Sequence, residues 1–179
     1  MCIRDSVNTV VHVRTQLGGS NHDVALLFAA YGLGSMSVAI LLSRILGSVS
    51  TRATMIGGAV AMACLLLVGG TGPGWMSSIG LWLLMGAASS AIGTPSGIVL
   101  RRSSGAADRP AVFAAQFALS HACWLVTYPL AGWLGVTIGL DATFVALSVV
   151  CLGGTVAATV LWPADDATVS YTHLRAHET

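Results

Sequence analysis

One stripe of side chains in this sequence has the composition of a binding face. Phe117, His121, Trp124 and Tyr128 recur at i, i+4, i+7 and i+11, which places all four on one side of a helix. Gln116, Ser120, Cys123 and Thr127 line the neighbouring stripe. An imidazole titrates near neutral pH and can both donate and accept hydrogen bonds. The amide, indole and phenol around it supply polar and aromatic contacts of the kind that hold a small organic molecule. Tyr31 and Ser35 add two groups of similar character on an earlier segment, beside Gly32, Leu33 and Gly34. Catalysis has no comparable foothold. No pair of catalytic-type residues shares a helix face, and no P-loop, dinucleotide fingerprint, HExxH or GxSxG is present. We therefore expect recognition rather than an enzyme, with no cofactor.

His121 sits near the middle of an uncharged stretch, and two readings of it stand side by side. It is a neutral imidazole hydrogen-bonded to a neighbouring helix, holding a bundle together, or it carries a proton as part of the activity. No metal is expected either: Cys64, Cys123 and Cys151 lie in apolar runs with no CxxC spacing and no histidine or carboxylate at ligand distance, and they read as small buried hydrophobes.

The elements that must position these groups follow from where charge is absent. Residues 24–43, 53–100, 110–140 and 142–164 contain no Asp, Glu, Lys or Arg. Hydrophobic residues make up 55% of the chain and charged residues 8%, with a mean hydropathy of +0.80. Soluble domains carry about 25% charged residues, so no water-facing surface can be built from this composition. A bilayer core is crossed by about 20 apolar residues at ~1.5 Å rise each. The stretch 53–100 is more than twice that length and is punctuated by Gly69, Gly70, Thr71, Gly72, Pro73 and Gly74 at its centre. It reads as two helices and a turn. The fold class is all-α, a polytopic transmembrane bundle with five full spans at about 24–46, 53–68, 75–100, 111–135 and 142–162. A partial helix at 7–19 stops at Gly18, Gly19 and Ser20, and Ser20, Asn21, His22 and Asp23 offer capping groups to the first full span.

Orientation comes from the arginines, since lysine is absent. Arg44 and Arg52 occupy the gap after the first span, and Arg101, Arg102 and Arg109 with Asp108 occupy the gap after the third. The intervening gaps, 69–74 and 136–141, hold no arginine. The positive-inside rule places the arginine gaps in the cytoplasm and the others outside. Arg14, near the outer side, runs against this trend. The partners expected are the lipid bilayer and an unidentified small molecule. The net charge of +1 gives no case for nucleic acid.

Without a hydrophobic force to separate helices from lipid, close packing in a membrane relies on small residues. Gly57, Gly58 and Ala61 form such a face on the second span, and Gly86, Ser90, Gly93 and Gly97 form one on the third. Pro95 should kink the cytoplasmic third of that helix. Ser89, Ser90 and Thr94 precede it. Polar content is lowest in the second and fifth spans, which read as lipid-facing supports, and highest in the fourth.

The stretch Thr94-Pro95-Ser96-Gly97-Ile98-Val99-Leu100-Arg101-Arg102, followed by Asp108-Arg109-Pro110-Ala111-Val112-Phe113-Ala114-Ala115-Gln116-Phe117, resembles the tenth helix, inner loop and eleventh helix of the major facilitator superfamily. The resemblance covers about 7–164 and identifies that region as the C-terminal half of such a transporter. It implies the end of helix seven followed by helices eight to twelve, with seven, eight, ten and eleven around a central cavity and nine and twelve outside. The ranking by polar content agrees with that division. The inner loop at 43–52 keeps Gly47, Arg44 and Arg52 but lacks the acidic residue of the superfamily's signature, so no gating salt bridge carries over.

On this resemblance the protein is a multi-pass protein of the bacterial inner (plasma) membrane. It moves a small molecule by alternating access, with proton-coupled efflux as a narrower reading. Its partner is the N-terminal half of the same transporter, and the fragment by itself is expected to be inactive. Tyr31, Ser35, Gln116, His121, Trp124 and Tyr128 are the expected cavity face, and His121 is the proton-coupling candidate. Residues 1–6 and 169–179 resemble translated sequencing-adapter sequence, with 165–179 otherwise a cytoplasmic tail. A non-transporting membrane scaffold or subunit is the alternative from a different class.

Overall fold

The computed structural model describes residues 9–45 and 49–162. Our expectations for the two termini, and for Gly47 in the first inner loop, concern residues outside these. Five helices follow a π-helical turn at His12–Gln16: α1 (Asn21–Ile45), α2 (Thr51–Gly69), α3 (Trp75–Arg102), α4 (Arg109–Thr137) and α5 (Leu140–Leu161). All five are long and apolar enough to cross a membrane. Their bounds lie within three residues of those expected from the charge-free stretches, because charge exclusion and helix length are both set by the bilayer.

Local chemistry marks the helix starts. Asp23 accepts hydrogen bonds from the backbone N–H (2.7 Å) and the hydroxyl (2.9 Å) of Ser20, pinning the entry to α1. Ser50 caps α2 by accepting from the Ala53 N–H at 3.3 Å. The π-helical turn ends where Gly18 adopts φ +62° and the Gly19 N–H returns to the Val13 carbonyl at 2.8 Å. Helix α3 continues through Pro95.

The helices stack in the order α1, α3, α2, α5, with α4 beside them and making little contact. The α1–α3 crossing is the tightest. A Cβ placed on Gly34 would lie 1.8 Å from the Leu83 carbonyl oxygen, and one on Gly86 would lie 2.0 Å from that of Tyr31. Only glycine permits backbones this close. Gly58 approaches the Ala88 carbonyl and Ala91 on α3 in the same way. The small-residue faces expected from sequence are therefore used selectively. Gly57, Gly93 and Gly97 have nothing within 4 Å of where a Cβ would stand, so these three are corrections to the expected contact faces.

Hydrogen bonds join α2 to α5. The Ser148 hydroxyl donates to the Ala63 carbonyl at 2.7 Å, and the Cys151 thiol lies 3.6 Å from the Ala59 carbonyl. Arg52 has a structural role beyond signalling topology: its guanidinium donates to the Thr159 carbonyl at 2.9 Å, near the C-terminus of α5, where cations offset the unpaired carbonyls. Trp82 is almost fully buried in the core, meeting the Phe144 ring edge-on at 6.4 Å. Trp133 points outward from α4 and is 64% exposed, so packing among these helices does not explain it.

Candidate functional site

The polar groups of α1 and α3 converge on an open groove of about 590 Å³, within the range of small-molecule sites. Tyr31 and Ser35 contribute from α1, and Ser89, Ser90 and Thr94 from α3, while Phe28 and Met36 supply apolar wall. The Ser90 and Thr94 hydroxyls are 3.1 Å apart and hydrogen-bonded. Tyr31 and Ser90 are buried and Ser35 half-buried. The groove lies beside the crossing where Gly34 approaches the Leu83 backbone and Gly86 the Tyr31 backbone, and small residues, among them Gly32, Ala39 and Gly93, leave it open. Chemically it offers hydroxyl donors and acceptors and no charge, suited to a neutral or weakly polar ligand.

Of the six residues expected on a cavity face, Tyr31 and Ser35 line this groove, whereas Gln116, His121, Trp124 and Tyr128 do not. Those four lie on α4, where only Ala131 is buried. The column itself forms as its spacing requires. Ring centroids are 3.9 Å apart for Phe117 and His121, 4.5 Å for His121 and Trp124, and 6.3 Å for Trp124 and Tyr128. His121 bonds within its own helix, its Nδ1 lying 2.8 Å from the Phe117 carbonyl. A carbonyl only accepts, so Nδ1 carries the hydrogen and Nε2 is the basic nitrogen. Gln116 and His121 are exposed.

The charges of the two arginine-bearing loops lie at helix ends. Arg44, Arg101, Arg102 and Asp108 are exposed, and Arg109 opens α4 half-buried. Among the described residues, no three of His, Cys, Asp and Glu are grouped as a metal would need.

Sequence reasoning passed over two sets of residues. Ser89, Ser90 and Thr94 were visible as polar groups before Pro95, but nothing in α3 alone shows that they meet Tyr31 and Ser35. His12 and Gln16 belong to the turn preceding α1, and His12 is fully buried. Its signal was an imidazole within an apolar run, four residues before an amide.

The family model described as Major Facilitator Superfamily matches residues 2–176. The chain belongs to the major facilitator superfamily. No curated protein and no solved structure matches it significantly. Membership makes this a multi-pass membrane protein of a transport family, and it agrees with five apolar helices threaded through short loops.

Proposed function

We propose that this chain contributes one half of the cavity of a secondary transporter working by alternating access in the inner (plasma) membrane of a bacterium. The observation that carries the reading is the uncharged, hydroxyl-lined groove between α1 and α3. The substrate is a small molecule without strong anionic character, since no cationic side chain lines the groove. An N-terminal half of the same transporter would face the groove and the aromatic column of α4. That arrangement gives a reason for the exposure of Gln116 and His121. Alternating access needs two halves that rock about such a midplane site.

Ser35→Trp tests the groove. An indole there fills space a substrate would occupy while leaving the close approaches of Gly34 to Leu83 and of Gly86 to Tyr31 in place. Transport by the full-length transporter in membrane vesicles, screened with neutral and cationic small molecules, is expected to fall at least about tenfold with unchanged membrane insertion. Wild-type rates in Ser35→Trp would remove the groove from the pathway.

His121 is the proposed proton-coupling residue in the narrower reading of proton-driven efflux, acting through Nε2. His121→Ala is expected to flatten the dependence of transport on pH between about 5 and 8. An unchanged pH profile would exclude the proton role and leave the groove assignment standing.

A further inference from the structure

We propose that His12 forms a proton-binding site at the outer end of the bundle, its ring hydrogen-bonded on both nitrogens whether neutral or charged. This site lies apart from the groove and from His121, and goes beyond the transport reading.

The inference follows from which atoms can donate. His12 Nδ1 is 2.5 Å from Gln16 Oε1, and Nε2 is 3.0 Å from Ser78 Oγ. The Gln16 amide nitrogen donates to Asp141 Oδ1 at 2.6 Å, and a carboxylate demands the NH2 end of the amide. Its oxygen must therefore face the ring. Because that oxygen only accepts, Nδ1 keeps a hydrogen in both charge states, and Nε2 is where a proton is gained or lost.

The partner of Nε2 suits this exchange. Ser78 Oγ also lies 3.1 Å from the Pro73 carbonyl. When Nε2 is bare, the hydroxyl donates to the ring. When Nε2 is protonated, the hydroxyl turns its hydrogen to the Pro73 carbonyl and accepts from the ring. A buried imidazole facing two pure acceptors would leave one unmatched in its neutral form, and one facing a pure donor would lose that bond on protonation. Here a one-hydrogen rotation serves both states.

The surroundings also accommodate the charge. The ring of Trp82 stacks on His12 with centroids 5.3 Å apart and an interplanar angle of 19°, so an indole face lies against the site of positive charge. Asp141 on α5 is the carboxylate reached through Gln16. No ionisable Asp, Glu, Lys, Arg or His lies on α3 between Trp75 and Leu100, or on α2 beyond Arg52. On α1, His22 and Asp23 lie in the first turn, and Asp23 is engaged by Ser20. Arg14, on the same turn as His12, bonds the Asn21 side chain. One carboxylate and one aromatic face thus oppose the cost of burying the charge. Proton occupancy at Nε2 would tune the tie among the π-helical turn, α3 and α5.

Tryptophan emission reads the site, because an imidazolium stacked on an indole quenches it. The full chain in detergent micelles is titrated in a His121→Gln background, since His121 lies 4.5 Å from Trp124. A reversible one-proton step is expected on acidification, with lower emission on the acid side. His12→Gln should abolish the step, and Asp141→Asn should move it about one pH unit lower, because the neutral amide no longer favours the charged ring. Flat emission, a step that survives His12→Gln, or a step unmoved by Asp141→Asn overturns the proposal. If His12→Gln does not fold, the Asp141→Asn shift decides. The readout is proton binding and not flux, so a failure here leaves the groove and His121 tests untouched.

Discussion

Gly86→Val is expected to force α1 away from α3 and to destabilise the folded protein by about 3 kcal/mol, the upper part of the range for overpacked interiors. A side chain at this position has no soft neighbour to displace. Its Cβ would stand 2.0 Å from the Tyr31 carbonyl oxygen, whereas ordinary contact begins at 3.4 Å. The two backbones must separate by more than an ångström, and the matching contact of Gly34 with the Leu83 carbonyl is lost with them. Between helices in lipid, close packing supplies much of the attraction, so a widened crossing is not recovered by burying the added methyl groups. The same movement would take Tyr31 and Ser35 out of reach of Ser89 and Ser90. Gly97→Ala on the same helix has open space at its Cβ and is expected to stabilise the helix by up to about 1 kcal/mol. Unfolding with increasing SDS in mixed micelles, followed by circular dichroism, measures both. Equal midpoints would refute the packing account.

Trp82→Ala is expected to cost about 4 kcal/mol, within the range for removing a large buried aromatic side chain. Trp82 is 1% exposed and ties α3 to both the N-terminal turn and α5. Its ring stacks on His12, meets Phe144 edge-on, and its Nε1–H donates to the Thr9 hydroxyl at 2.7 Å. Truncation opens a cavity and removes the donor to Thr9, in a setting where lipid cannot enter to fill the space. Trp82→Phe keeps an aromatic ring in the space but removes the hydrogen bond, and should lose roughly half as much. Trp133→Ala, on the outward side of α4, should stay within about 1 kcal/mol. The same SDS titration ranks the three variants. Trp82→Ala and Trp133→Ala unfolding together would show that the His12–Trp82–Phe144 stack does not hold the bundle.

The contrast between these residues shows how far the sequence could be read. The spans were legible because a hydrocarbon layer excludes charge along a length set by helix rise, so 75–100 in sequence becomes Trp75–Arg102 in the fold. The column of Phe117, His121, Trp124 and Tyr128 was legible too, since helical period alone aligns residues on one element. Other features depended on a neighbour that spacing cannot name. Small residues recur on several faces of α3, and only the position of α1 selects Gly86 and leaves Gly93 and Gly97 open. The groove needed Tyr31 and Ser35 to meet Ser89, Ser90 and Thr94 from another helix. The His12 site is the extreme case, with Ser78 66 residues beyond His12, and Asp141 125 residues beyond Gln16. Sequence alone determined the medium, the number of crossings and the residues on each helix face, because those follow from local period and charge. Tertiary structure decided which faces meet, because contact between distant segments depends on the positions of both partners.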